Sequence, residues 1–228
     1  VPGGRLTAVT DRWLLVHPPL LGPAVLGPLA ARLRESGAAV AVPDLRGLVQ
    51  DPASALPSAA GWDRRWAGAV GPADVVVAFS GAGMVLPAVA AACAARRAVW
   101  LDAVLPPVSG PARWPAEVRG LVAPLTADDG RVADWTTWWG PDAMAGLLPD
   151  ERVRAAVLAE GHRLPAGLWA EDVAVPPLTA EPRYVHLSPA YDADAAVARA
   201  RGWEVAGDGR GAHLDVATGP ARVAALLA

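Results

Sequence analysis

The chain has 228 residues, 53% of them hydrophobic and 19% charged, with a net charge of -3. That length supports one large domain with its own core, and the charge leaves no broad basic field for nucleic acid or an anionic membrane surface. The single cysteine, Cys93, excludes an internal disulfide framework and a cysteine-rich zinc site.

No apolar run approaches the ~18 residues of a membrane span. Val1-Pro2-Gly3-Gly4 lacks the charged and apolar regions of a secretory leader, so a cytoplasmic location is expected. Lys, Ile and Asn are absent, which reads as the signature of a GC-rich coding sequence. Codon bias does not account for ten Trp residues. Their large amphipathic rings belong in a core or against a ligand.

In chain order, Trp13-Leu14-Leu15-Val16 is a short apolar run that predicts a buried strand ending at His17-Pro18-Pro19. Leu26, Leu29, Ala30 and Leu33 lie on one face of a helix that runs to Ser36, and Gly37 stops it. Ala38 to Val42 predicts a second strand, closed by Pro43-Asp44. Residues 50–61 read as loop, and a helix over 63–70 carries Trp62 and Trp66 at its start and middle. The clearest strand is Asp74 to Phe79, where β-branched residues follow a Gly71-Pro72 break.

Ser80-Gly81-Ala82-Gly83 then turns into an Ala-rich helix, Met84 to Ala95, and Ala98 to Leu101 is a strand closed by Asp102. The stretch from about 108 to 182 is polar, Trp-rich and helical in pattern, with no strong strand. Strands return at Arg183–Leu187 and Trp203–Val205, separated by a helix over 192–201 and followed by one over 219–227. Strands alternating with helices predict a mostly parallel sheet covered on both faces. The organisation is one domain over 1–228, with a core of 1–107 and 183–228 and an inserted cap of about 108–182.

The chemistry concentrates at two places. A Ser between a strand and a helix leaves room only for small residues two places away, and Ala78 and Ala82 meet that need. Such a turn lifts the Ser80 hydroxyl over the sheet and aims the Gly81 N–H at an anionic oxygen. A serine nucleophile needs a base, and His213 lies between the last strand and the last helix. His162 and His186 lack such a context and read as surface or core residues. Glu117, Glu160, Glu171 and Asp128-Asp129 have no His at ligand spacing, so no metal is expected. Cys93 reads as a small buried hydrophobe. The glycines form no dinucleotide fingerprint.

With these residues in place the chain resembles the α/β-hydrolase superfamily over nearly its whole length. The strand ending in His17, the Pro43-Asp44-Leu45-Arg46-Gly47 segment, the Ala78-Phe79-Ser80-Gly81-Ala82 elbow, the Asp102 strand and the late His213 carry the resemblance. It is similar to a compact bacterial subgroup of that fold. The resemblance implies a serine-dependent enzyme without cofactor, with Ser80 as nucleophile, His213 as base and a carboxylate orienting the base. That carboxylate is Asp102 or Asp192. Aligning Ser188-Pro189-Ala190-Tyr191-Asp192 with the family's usual site puts Tyr191 at the acid position and Asp192 one place later, while Asp102 fits the alternative site on the preceding strand.

Two departures carry information. Many relatives place His before the nucleophile, where this chain has Phe79. The family has His-Gly-X after the first strand here, and X donates a backbone N–H to the oxyanion. This chain has His17-Pro18-Pro19, and proline has no N–H. Losing one such donor costs ~2.7–4 kcal/mol of transition-state stabilisation, so Leu20 N–H, a cap side chain or a reaction without a full oxyanion hole must answer for it. Trp135, Trp138 and Trp139 either pack the cap onto the core or wall an apolar pocket above Ser80, with Trp114 and Trp169 adding to it. The expected substrate is an ester, thioester or lactone of a small hydrophobic metabolite. A lyase, cyclase or rearrangement enzyme and a non-catalytic ligand-binding protein are the alternatives on the same scaffold, as a monomer or homodimer.

Overall fold

Short apolar runs bounded by Gly, Pro and Asp become the strands of a six-stranded sheet, parallel throughout, in the order β10-β9-β4-β3-β1-β2. The computed structural model describes residues 11–140 and 142–228, so the reading of Val1-Pro2-Gly3-Gly4 lies outside it. The first half runs β1 (Arg12–Val16), α1 (Gly27–Glu35), β2 (Ala39–Ala41), α2 (Trp62–Gly68), β3 (Val75–Ser80), α3 (Leu86–Ala92) and β4 (Arg97–Ala103). An excursion follows with β5 (Pro111–Ala112), α4 (Ala116–Val122), β6 (Arg131–Val132), α5 (Ala143–Leu147), α6 (Glu151–Ala159), β7 (Leu164–Pro165) and β8 (Val173–Ala174). The chain returns through β9 (Glu181–Val185), α7 (Asp192–Ala200), β10 (Glu204–Ala206), α8 (Asp215–Thr218) and α9 (Pro220–Leu227).

Strand side chains alternate between two cores, as the pleat requires. Val76 and Ala78 of β3 join Leu14, Val16, Trp100 and Tyr184 under α2, α3 and α7. Val75, Val77 and Phe79 join Leu15, Val99, Leu101 and Val185 under α1, α8 and α9. Every residue of β3 before Ser80 is buried, which explains its unbroken apolar run.

Two sequence expectations shift. The single helix over 84–95 is a 3-10 turn, Gly81–Met84, followed by the seven-residue α3. Pro87 stands in the first turn of α3 and cannot continue a hydrogen-bonded helix from upstream. The β4–β9 excursion is helical as expected, but its ends are clasped by two antiparallel ladders, β5 with β8 and β6 with β7. These ladders are two residues long, too short to leave a periodic signal.

The β3–α3 turn is tight enough to dictate its residues. A Cβ on Gly83 would stand 2.3 Å from the Val104 carbonyl oxygen and 2.9 Å from the Trp100 ring. Gly83 also accepts the Trp100 indole N–H at 3.0 Å. Gly83→Ala is expected to cost roughly 1–3 kcal/mol through overpacking against backbone. Gly68→Ala, at an α2 position with open space around it, is expected to be neutral or stabilising. Urea unfolding of the two variants measures the contrast.

Candidate active site

The carboxyl ends of neighbouring parallel strands deliver the site, as open α/β sheets do. Ser80 ends β3 with φ 56° and ψ -127°, a conformation that L residues rarely hold. Strain of this kind costs roughly 1–3 kcal/mol and persists where surrounding contacts enforce it. Here the Val104 N–H bonds the Ser80 carbonyl at 3.2 Å, and the β3–β4 register shifts beside it. Phe79 pairs with Leu101 and Ser80 with Ala103, so Asp102 is the extra residue of a bulge, at φ 43°. The bulge turns the Asp102 side chain away from the ladder toward the end of β9.

There Asp102 is fully buried and meets four donors. Its Oδ1 accepts the N–H groups of Leu187 (2.9 Å) and Ser188 (3.0 Å). Its Oδ2 accepts the Ser188 hydroxyl (2.6 Å) and His213 Nδ1 (2.8 Å). Ser188, Asp102 and His213 thus form a triad-like network. The Ser188 hydroxyl is buried and committed to the carboxylate, on the side of Asp102 that orients the imidazole. His213 keeps Nε2 for the other side. Its ring is held between Phe79, at 4.5 Å between centroids, and Tyr191, at 4.9 Å.

Asp192, the other candidate acid, is exposed and meets His186 Nε2 at 2.9 Å. Ser80 Oγ hydrogen-bonds to the Tyr191 hydroxyl at 3.0 Å. Burial raises the Tyr191 phenol above its ordinary range, with the bond to Ser80 opposing the rise, so at neutral pH it carries its proton.

On the opposite side of Ser80, β1 ends in His17-Pro18-Pro19. His17 is fully buried and serves the loop rather than facing outward. Its Nε2 accepts the Leu45 N–H at 2.9 Å, which leaves Nδ1–H to donate to the Pro18 carbonyl at 2.9 Å. Leu21 N–H closes a turn onto the same carbonyl at 3.2 Å. The Leu20 N–H, between them, has no acceptor among the described residues. Pro19 is buried beside the elbow, 3.4 Å from where a Gly81 Cβ would stand.

The aromatic ring that reaches the elbow is Trp114, 3.0 Å from that same Cβ position. It stacks on Trp62, which meets Trp66 edge to face, and Trp66 meets His17. Trp169 is buried in the same core. Trp138 donates its indole N–H to the Ala133 carbonyl and tilts against Trp139, which is exposed. Trp135 packs on the other core. Among the described residues, none of the three stacks on an aromatic ring beside Ser80. Their proximity in sequence suggested one wall, whereas the block beside the elbow draws on Trp62, Trp66 and Trp114, from separate segments.

His162, which reads from the sequence as a surface or core residue, joins two segments. Its ring spans the Glu160 carbonyl (3.0 Å) and the Pro19 carbonyl (2.7 Å), which ties the excursion to the proline loop. A lone loop His carries no sequence signal for that role.

The fold is that of the α/β-hydrolases. An extracellular α/β-hydrolase from a Paenibacillus species, described as sharing structural and functional homology with tobacco salicylic acid binding protein 2, superposes with a TM-score of 0.70 at 16% identity, over 95% of this chain and 97% of its own. Polyneuridine aldehyde esterase gives 0.65 at 16% identity over 96% and 98%. Tomato methylketone synthase I bound to 2-tridecanone gives 0.62 at 15% identity over 96% and 97%. Comparison of sequences finds no matching family model and no matching curated relative. Among the described residues no helix is long and apolar enough to cross a membrane, and no group of His, Cys, Asp and Glu side chains forms a metal-ligand cluster.

Burial depresses the His17 pKa to about 4 from its ordinary 6.5. The unfolded chain therefore binds one more proton than the folded one between those values. Stability from His17 is complete above about pH 6.5, falls as pH drops toward 4, and levels off below it, a total of roughly 3 kcal/mol. His17→Gln is expected to remove one proton's slope from the stability–pH curve across that window, measured by denaturant midpoints from pH 4 to 7.

Proposed function

We propose that the protein is a serine hydrolase of the esterase kind, acting on an ester, thioester or lactone of a small hydrophobic metabolite. The observation that carries this reading is the Asp102–His213 hydrogen bond next to a serine held at positive φ at the end of β3. Ser80 is the nucleophile and His213 takes its proton through Nε2. Asp102 fixes the ring with Nδ1–H toward itself and stabilises the imidazolium that forms. The Gly81 N–H, at the start of a 3-10 turn where no intrahelical acceptor uses it, faces the oxyanion. Leu20 N–H, one residue beyond Pro19, supplies the second donor.

In the resting arrangement Ser80 bonds Tyr191 rather than His213. A rotation of the Ser80 side chain brings Oγ to His213, and catalytic hydrogen bonds often tighten only when substrate is bound. The apolar character of the substrate is supported by Trp114 and Pro19 flanking Gly81. The long-chain ketone bound by the methylketone synthase supports it too.

That synthase also keeps open a non-hydrolytic lyase or cyclase reading, which the Pro18-Pro19 departure favours. In that case the chain turns over no ester and Ser80 is dispensable. On the hydrolase reading, a fluorophosphonate labels Ser80, and Ser80→Ala abolishes both labelling and turnover. Asp102→Asn is expected to lower kcat by roughly 10⁴-fold, while Asp192→Asn leaves it within about threefold. Peptide mapping of the labelled site and steady-state kinetics on a series of acyl esters decide between the readings.

A further inference from the structure

Among the described residues, Tyr191 is the residue whose side chain hydrogen-bonds to Ser80 Oγ. Its hydroxyl lies 3.0 Å from Ser80 Oγ, its ring stacks on His213 at 21°, and it keeps its proton at neutral pH. It occupies the place, after β9, where this fold usually carries the acid. With the acid on the β4 bulge instead, that place is free for another task.

The strand order says which task. β1 lies on one side of β3, and its loop brings Pro19 to Gly81, with Leu20 next in the chain. β4, β9 and β10 lie on the other side; β4 carries Asp102, and the segments after β9 and β10 bring Tyr191 and His213. The carbonyl oxygen of a bound ester turns to the β1 side, where backbone N–H groups await it. The leaving oxygen then points to the β9 side, where His213 protonates it. Tyr191 stands beside that second oxygen and away from the first.

We propose that Tyr191 is a catalytic residue that donates a hydrogen bond to the departing oxygen, and that it makes the protein selective for oxygen esters and lactones of aliphatic alcohols over thioesters. This rests on the serine-hydrolase reading above. Ser80 Oγ forms a bond to the carbonyl carbon as its proton passes to His213 Nε2, and the π electron pair moves to the carbonyl oxygen. When that pair returns, the bond from carbon to the alcohol oxygen breaks. The leaving alkoxide keeps the bonding pair and takes the proton from His213. Tyr191 stabilises the charge building on that oxygen and gives up no net proton. Water then cleaves the acyl-Ser80 by the reverse route, with Tyr191 bonded to the incoming oxygen. Sulfur is a weaker hydrogen-bond acceptor than oxygen, and thiolate and nitrophenolate both leave more readily unaided than an alkoxide, so neither gains much from the donor.

The test compares wild type with Tyr191→Phe, which keeps the ring stacked on His213, using an alkyl ester, a 4-nitrophenyl ester and a thioester of one acyl group. The alkyl ester is expected to lose on the order of 10- to 100-fold in kcat/KM, and its loss exceeds that of the thioester and the nitrophenyl ester by about tenfold. Equal losses for the three substrates, or none, overturn the proposal. So does a wild-type protein that is labelled at Ser80 by a fluorophosphonate yet turns over no alkyl ester. Failure of that labelling overturns the serine-hydrolase reading itself, and the Tyr191 role falls with it.

Discussion

Asp102 is the point on which the site depends. A carboxylate buried this fully is tolerated only with its oxygens satisfied, and stripping partners from such a group costs several kcal/mol. Its four donors come from β9 and from the turn before α8. One side chain therefore pins the end of β9 to the end of β4 and sets His213 in the same act. The bulge that turns Asp102 toward the end of β9 and the strained conformation of Ser80 lie side by side in the β3–β4 register. Ser80 and Asp102 are displaced from the regular ladder together.

The two cores support that displacement from opposite faces. Phe79 backs the His213 ring from one core. From the other, the Trp62–Trp66–Trp114 block backs Gly81 and His17. Close packing on both sides leaves a strained turn nowhere to relax, which is how a folded interior stores such a conformation. The excess of tryptophan in the composition is spent largely here and on the Trp100–Trp203 pair.

Much of this was legible in the residues themselves. The strands announce themselves by β-branched runs and Gly or Pro breaks; Ser80 and Asp102 sit at strand ends, and His213 in the loop after the last strand, on the side where a parallel sheet gathers its chemistry. What local pattern cannot convey is where a side chain turns. The sequence offers Asp102 and, as its alternative, Asp192; the bulge turns the first inward and α7 leaves the second exposed beside His186. Trp135, Trp138 and Trp139 are neighbours in sequence, but a 3-10 turn splays them toward different surroundings. Ser188 and His162 act through hydrogen bonds to distant segments, and no periodicity encodes those.

The His162 contact to Pro19 has company. Glu160 accepts the Ala24 N–H at 2.8 Å through its side chain, and its carbonyl accepts Arg46 at 2.6 Å. The end of α6 is thus stapled to the loop after β1 at several points. Raising this edge of the excursion would pull apart the backbone that flanks Ser80. The edge acts as a fixed post that holds the excursion and the proline loop together as one piece.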